Sequence, residues 1–284
     1  MHKRTASAFT IVELLVVIVI IGILAAITII SYTGISSRAT ISSMQSDLTN
    51  ASTTLKLDYV SNGTFPTTLA LANNGKGITQ SQSLDNITYI PDNTSNPNNF
   101  CLQYRKGNNN YAVDNTSAVS SGACLQNLVT NGDFSNGSSG WVASNVTIVS
   151  TLNNEAVTLA SAQHGRLYSP VTITNGHKYY LSAWAKTSSS QVSLDIDGAL
   201  TYFSGTGSYE RLSYLYTAAV TIGVGVSVRD HTASGWSNLS QKNILFIDLT
   251  VAFGAGNEPT KAQMDTIMSS YPNNWFNIVS KVSL

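Results

Sequence analysis

From Phe9 to Ile30 the chain reads FTIVELLVVIVIIGILAAITII, about 22 residues broken only by Thr10, Glu13, Thr28 and the small Gly22. A helix over this run would be about 33 Å long, enough to cross the hydrocarbon core of a bilayer. The polar leader before it, Met1–Ala8, carries Lys3 and Arg4. Basic flanks stay on the cytoplasmic side, which places the remainder of the chain outside. A secretory signal peptide cut beyond the apolar run would have this outline, and so would a plain single-pass anchor. Glu13 argues against both. A carboxylate inside such a run costs a few kcal/mol in lipid, so by default it is functional and has a partner. It also lies in the first turn of the helix, near the positive end of the dipole.

The 284 residues leave room for one large domain or two ordinary ones, and 43% hydrophobic content is enough for real cores. Only 11% of residues are charged, against roughly 25% in a typical soluble protein. Ser, Thr, Asn and Gly take up the difference, a surface common outside cells and unusual in cytosolic enzymes. Fifteen basic and fifteen acidic residues give a formal net charge of zero, so nothing suggests a general footprint for nucleic acid or an anionic membrane surface. Two cysteines, Cys101 and Cys124, form one bridge in an exported chain or remain two buried thiols. A bridge over a loop of this size would stabilise by about 3 kcal/mol.

The stretch AFTIVELLVVIVIIGILAAI closely resembles the signature of type IV pilins and type II secretion pseudopilins. The resemblance implies a cut between Ala8 and Phe9 by a dedicated peptidase that then N-methylates Phe9. The apolar run then survives as the assembly helix. It also implies that Glu13 neutralises the new amino terminus of a neighbouring subunit's Phe9, turning two costly charges into one satisfied pair. Ala8 departs from the glycine usual before the cut, and slower processing is the expected consequence. The chain also lacks the proline that many pilins place shortly after GILAAI, leaving Gly22 and Gly34 as the helix-weakening residues nearby.

Beyond Ile30, Ile35, Ile41, Met44, Leu48, Leu55 and Tyr59 recur at helical spacing among Ser, Thr and Gln. One helix is expected from about Thr10 to about residue 61, ended by the Asn62-Gly63 turn. The exit LKLDYVSNGTFPTTLALA (Leu55–Ala72) is also pilin-like. Short strands are expected at Ile87–Ile90, Phe100–Arg105 and Tyr111–Val113, in the small antiparallel sheet that the resemblance implies.

From Gln126 short alternating runs predict strands at Val146–Val149, Ala156–Leu159, Tyr179–Ala185, Val192–Ile196, Glu210–Tyr216, Ile222–Val228 and Ile244–Val251. That spacing argues for an antiparallel β-sandwich. One helix is expected near the end, opened by a capping-box pattern at Thr260 and Gln263 ahead of Met264, Ile267 and Met268. NLVTNGDFSNGSSGW (Asn127–Trp141) resembles the start of galactose-binding-like carbohydrate-binding jelly-roll modules, and FIDLTVAFGAGNEPTKAQMD (Phe246–Asp265) resembles their ends in phage tail and cell-surface proteins. The resemblance implies a structural calcium, with Asp133 and Asp248 as the matching ligands; otherwise the two are a turn residue and an edge polar group. Sugar binding needs aromatic faces together with amide, hydroxyl and charged groups. Tyr202, Arg229, His231 and Trp236 are the candidates, Trp236 because the loop-like RDHTASGWSNL is a poor place for a core tryptophan. Trp141 and Trp184, in strand-like contexts, are expected in the core.

The expected class is α+β: a leader at 1–8, a pilin module at 9–125 and a jelly-roll sandwich at 126–284. Within the module, 9–30 is the assembly helix and 62–125 a small β head. No catalytic, nucleotide-binding or metal-ligand spacing occurs, so no enzymatic activity and no required cofactor are expected. The leading expectation is a minor or tip subunit of a type IV pilus displaying a glycan-binding adhesive domain. Its implied partners are other pilin subunits, prepilin peptidase, the assembly machinery and a cell-surface glycan. It would be held in the cytoplasmic membrane as a precursor and later lie at the cell surface. The alternatives are a pseudopilin of a secretion or DNA-uptake machine whose sandwich binds protein or acts as a spacer, and an anchored lectin that never polymerises.

Overall fold

The computed structural model describes residues 10–78, 87–160, 165–187, 192–196, 198–231 and 238–283. The expected helix runs as α1 from Ile11 to Asn62. It stops where predicted: Gly63 adopts φ 73° and its N–H closes onto the Tyr59 carbonyl at 2.8 Å, a left-handed exit that glycine makes without steric cost. The chain divides into two compact units, residues 1–47 and 48–284. In the first, the apolar side chains from Ile11 to Ile29 are exposed on every side of the helix. A helix apolar all round needs lipid or other helices as its surroundings.

In the second unit, Leu48, Ala51 and Leu55 of α1 are fully buried. Tyr59 stacks on Phe65 at 4.7 Å, and Phe65 meets Phe100 edge-on at 5.0 Å. Asn93 fixes the exit loop with a reciprocal pair of 2.8 Å bonds to the Phe65 N–H and carbonyl. A one-turn helix, α2 (Ala72–Gly75), follows. It is held by the Asp58 carboxylate, which accepts the Asn73 N–H at 2.7 Å.

The small head sheet has β1 (Ile87–Asp92), β2 (Asn99–Lys106), β3 (Asn109–Asp114) and β4 (Ser120–Gln126) in antiparallel order. Its fifth strand is the last in the chain, β15 (Val279–Ser283), which pairs with β4. Gly122 allows this approach, because a Cβ there would stand 2.2 Å from the Val282 carbonyl oxygen. One side chain from each of the five strands (Ile90, Cys101, Ala112, Cys124 and Val279) meets in a buried cluster. Cys101 and Cys124 are bridged within it, with Cα atoms 5.7 Å apart. The boundary expected at residues 125 and 126 is therefore not a simple junction. The chain leaves the head at β4, builds the sandwich, and returns to complete the head sheet.

The sandwich strands are β5 (Val142–Ser144), β6 (Val146–Ser150), β7 (Ala156–Ala160), β8 (Arg166–Ile173), β9 (Lys178–Lys186), β10 (Val192–Ile196), β11 (Ala199–Phe203), β12 (Glu210–Thr217), β13 (Ile222–Asp230) and β14 (Asn238–Asp248). They form two antiparallel sheets, ordered β11-β10-β13-β8-β5 and β12-β9-β14-β7-β6. Val192, Leu194, Ile196, Val224, Val226, Val228 and Leu167 of the first sheet face Leu181, Ala183, Ala185, Leu239 and Phe246 of the second across one core. The strand expected over Ile244–Val251 ends at Asp248. There the Asp248 carboxylate accepts the Val251 N–H at 2.9 Å and starts a short helix, α3 (Leu249–Phe253). The predicted capping box is present at Thr260 and Gln263 and opens α4 (Lys261–Ser269), with Met264 and Met268 fully buried. Trp141 is buried as expected. Trp184 instead sits on the outer side of its sheet, half-buried, donating to the Asn273 carbonyl at 2.8 Å.

That outer side is also covered. Tyr180, Leu245 and Ile247 pack with α3, α4, Phe276 and the head residues Ala123, Leu125 and Val282 in a second core. Polar contacts cross the same junction. Buried Gln103 on β2 donates to the Ala252 carbonyl at 2.8 Å and accepts the Cys124 N–H at 2.7 Å. Asn127, just past the expected domain boundary, is buried. Its side chain accepts the Val129 and Phe246 N–H groups and donates to the Ile244 and Phe276 carbonyls.

Head and sandwich should therefore unfold as one. Gln103→Ala strands a buried N–H and removes a donor from a buried carbonyl, which should cost about 1–3 kcal/mol. Urea unfolding should show one transition at a lowered midpoint, whether followed through head or sandwich probes. An unchanged midpoint would contradict the tie.

Candidate functional sites

The first site is the start of α1. Thr10 caps the helix: its hydroxyl accepts the Glu13 N–H at 3.2 Å. The Glu13 carboxylate in turn accepts the Thr10 N–H at 2.8 Å and the Thr10 hydroxyl at 2.7 Å. This reciprocal arrangement is a capping box. The T-x-x-E spacing that specifies it stands in the sequence, beside the expected place of Glu13 at the positive end of the helix dipole. Ala8 and Phe9, where the cut is expected, lie outside the described residues.

The second site is the outer face of the β11-β10-β13-β8-β5 sheet. Directly opposed residues on neighbouring strands share a face, and the register aligns Tyr202, Ser193, Arg229 and Arg166 in one row. Tyr202 is 49% exposed and meets the His231 ring edge-on at 5.0 Å. His231 Nε2 lies 2.7 Å from the Ser193 hydroxyl. Three of the four predicted ligand residues are thus on or beside one row. Trp236, the fourth, lies outside the described residues.

The sequence reading missed what holds this row. Asp195 is fully buried, and its Oδ2 lies 2.5 Å from Arg229 Nη2 and 2.9 Å from Arg166 Nη1. The Ser227 hydroxyl reaches the same oxygen at 3.2 Å, and the Gly198 N–H donates to Oδ1 at 2.8 Å. In the sequence Asp195 alternates with apolar residues in VSLDI like any outward polar residue. A buried carboxylate must be paired, and its partners appear only with the register of three strands. The Arg166 guanidinium also covers the Tyr168 ring at 4.8 Å. Tyr168 in turn lies against Gly225, where a Cβ would come within 2.7 Å of the ring. Arg166, Tyr168, Pro170, Thr172, Gly223 and Gly225 line an open groove of about 520 Å³. The face thus offers an exposed aromatic at one edge, fixed guanidinium groups along the middle and, beyond them, a groove in which Gly223 and Gly225 lie beside the Tyr168 ring.

Asp133 and Asp248, the ligands implied for calcium, each have protein partners. Asp133 accepts the N–H and hydroxyl of Ser135. Asp248 caps α3 with one oxygen, and the other lies 2.7 Å from His177 Nδ1. Among the described residues no group of three or more His, Cys, Asp or Glu side chains could hold a metal ion. Glu258, in the GNEP segment, has a structural task. Burial pushes its carboxyl up, but its own backbone N–H, Thr250, Lys178 and Gly256 outweigh this and hold it below the ordinary carboxylate value.

Residues 3–29 match the family described as the prokaryotic N-terminal methylation motif. Motif and apolar helix together make a prepilin-type N-terminus, which fits a precursor anchored in the membrane and then an extracellular pilus. No curated protein matches the chain. Among solved structures, one described as "CBM4 structure and function" is similar at 14% identity and TM-score 0.34, covering 42% of this chain and 99% of that one. The Family 16 Carbohydrate Binding Module-2 is similar at 19% identity and TM-score 0.33, covering 43% and 100%. The N-terminal cellulose-binding domain from Cellulomonas fimi β-1,4-glucanase C is similar at 19% identity and TM-score 0.33, covering 42% and 95%. At such TM-scores the function of the outer face has to be argued from its own side chains.

Asp195→Asn would leave Arg229 without the carboxylate it touches. Breaking a buried pair from one side costs about 3–5 kcal/mol, so the variant should melt well below the parent by calorimetry. An unshifted melting temperature would mean that the pair does not organise this face.

Proposed function

We propose that this chain is a type IV pilus subunit, minor or at the tip, and that the outer β11-β10-β13-β8-β5 face of its sandwich binds a surface glycan. The observation that carries the reading is the combination in one chain of a prepilin-type N-terminus and a sandwich face that bears an exposed aromatic at one edge, anchored guanidinium groups and an open groove beside Arg166. Tyr202 offers a ring face on which a sugar can stack, and the Arg229 side chain, two strands along the same row and 13% exposed, offers donors to ring hydroxyls. The opposite sheet has its outer side covered by α3, α4 and the head, so within this unit the open face is the one turned away from the head. The proposed work is assembly and recognition, with no chemistry on a substrate. In assembly, Glu13 would exchange its Thr10 partners for the amino terminus of a neighbouring subunit, relieving two charges in an apolar setting.

Binding of the purified full chain in detergent to a broad glycan array tests the ligand half of the proposal. Saturable binding to a defined set is expected, weakened about tenfold, equivalent to about 1.4 kcal/mol, in Tyr202→Ala. Absence of binding across the array would favour a pseudopilin whose sandwich contacts protein or serves as a spacer.

A further inference from the structure

We infer that tension between the helix and the sandwich is carried by the Cys101–Cys124 bridge and bypasses the segment between the two cysteines. The inference rests on the proposed function only for the source of the tension, a filament pulling against a bound ligand.

The chain order makes the bridge a junction. Everything before Cys101 leads back to α1, and two residues after Cys124 the chain leaves β4 for the sandwich. On its head side β4 pairs with β3 at only two positions, Tyr111↔Ser121 and Ala112↔Ser120. On its other side it pairs with β15 over five positions. Those five pairs do not oppose a pull on the sandwich. Gln126 at the end of β4 faces Val279 at the start of β15, so both strands enter the sandwich at the same end and would be drawn out together. Without the bridge, the polar contacts holding the two strands to the head would be the two β3 pairs, Gln103 on the Cys124 N–H, and Lys281 on the Ser117 hydroxyl and Ala118 carbonyl, beside the apolar packing of Val279 in the five-strand cluster. Each such bond contributes only about 1 kcal/mol.

The bridge changes the route. Cys101 lies on β2, which pairs with β1 at six positions and with β3 at six more. Load arriving at Cys124 therefore passes straight into the best-anchored strand of the head. Both cysteines are buried, Cys101 fully and Cys124 to within 3%, so the link is sheltered from reductant while the head is closed. The separation of 23 in sequence leaves about 22 residues off the load path, up to about 75 Å of extended chain.

The test is single-molecule stretching of the full chain in detergent, held at its N-terminus and at the exposed β12–β13 turn near Val220. No glycan is present, so failure of the glycan reading would leave this result untouched. In Cys101→Ala/Cys124→Ala the first rupture should occur at half the parent's force or less and should release the residues between the two positions. The same force and the same first event in parent and variant would overturn the inference. If the variant does not fold, the parent is held at constant force with a small thiol. The thiolate attacks one bridge sulfur, forming a mixed disulfide and releasing the other cysteine as a thiolate. A discrete step of about 75 Å, faster at higher force, is expected once the head has opened. Opening without such a step would overturn the inference.

Discussion

The pairing of the final strand with β4 is the constraint on which the rest of the large unit depends. Five backbone positions of β15 lie against β4, and they bring the two ends of the sandwich insertion to one place. Once the ends are fixed there, the outer side of the β12-β9-β14-β7-β6 sheet must lie over Ala123, Leu125 and Val282, and the space fills with α3, α4 and Phe276. A sandwich on a single flexible linker would be expected to swing. One tied at both ends, with a shared apolar core and Gln103 spanning the junction, moves with the head. The bridge at Cys124 adds the covalent part of the same tie.

Seen from this junction, the sandwich has one spare face. Its inner surfaces make the core, its head-side surface is covered, and Tyr202 stands exposed at the edge of the remaining face. The open face is also where the sheet takes on its cost in buried charge. Asp195 beneath two guanidinium groups is weak evidence for stability, because desolvation offsets much of the attraction. What the arrangement supplies is direction: it fixes where Arg229 and Arg166 point, and it leaves Gly223 and Gly225 as a trough beside them. A stabilising core alone would have been better served by apolar side chains.

Much of this was legible in the sequence where the cause is local. The apolar run, the helix end at Asn62-Gly63, the capping box at Thr260 and the alternation of Val192–Ile196 each follow from a few adjacent residues. Non-local causes were not legible. Val279–Ser283 is five residues long with little apolar content, and nothing in it says that its partner lies more than 150 positions earlier. Asp248 reads as a strand residue until its carboxylate is seen capping α3. The aromatic and basic candidates Tyr202, Arg229 and His231 were found from residue type, whereas Asp195, which holds the row, is visible only when the register of three strands is known. The bond between Thr10 and Glu13 is local and follows from the T-x-x-E spacing alone.

Two physical requirements meet at the N-terminus. The helix must begin apolar enough to leave water, and Glu13, the one acid of its apolar run, must be satisfied at every stage. Before assembly, Thr10 answers the second requirement from within the same chain. In a filament, the freed amino group of a neighbour's Phe9 would answer it better, because a full opposite charge replaces two neutral donors. The account stands or falls on that amino group being made. The direct measurement is the intact N-terminal mass of the protein recovered from sheared surface filaments of its native host. A chain beginning at N-methylated Phe9 in the filament fraction is the predicted result. A chain still beginning at Met1, or cut beyond Ile30, and absent from filaments would contradict it.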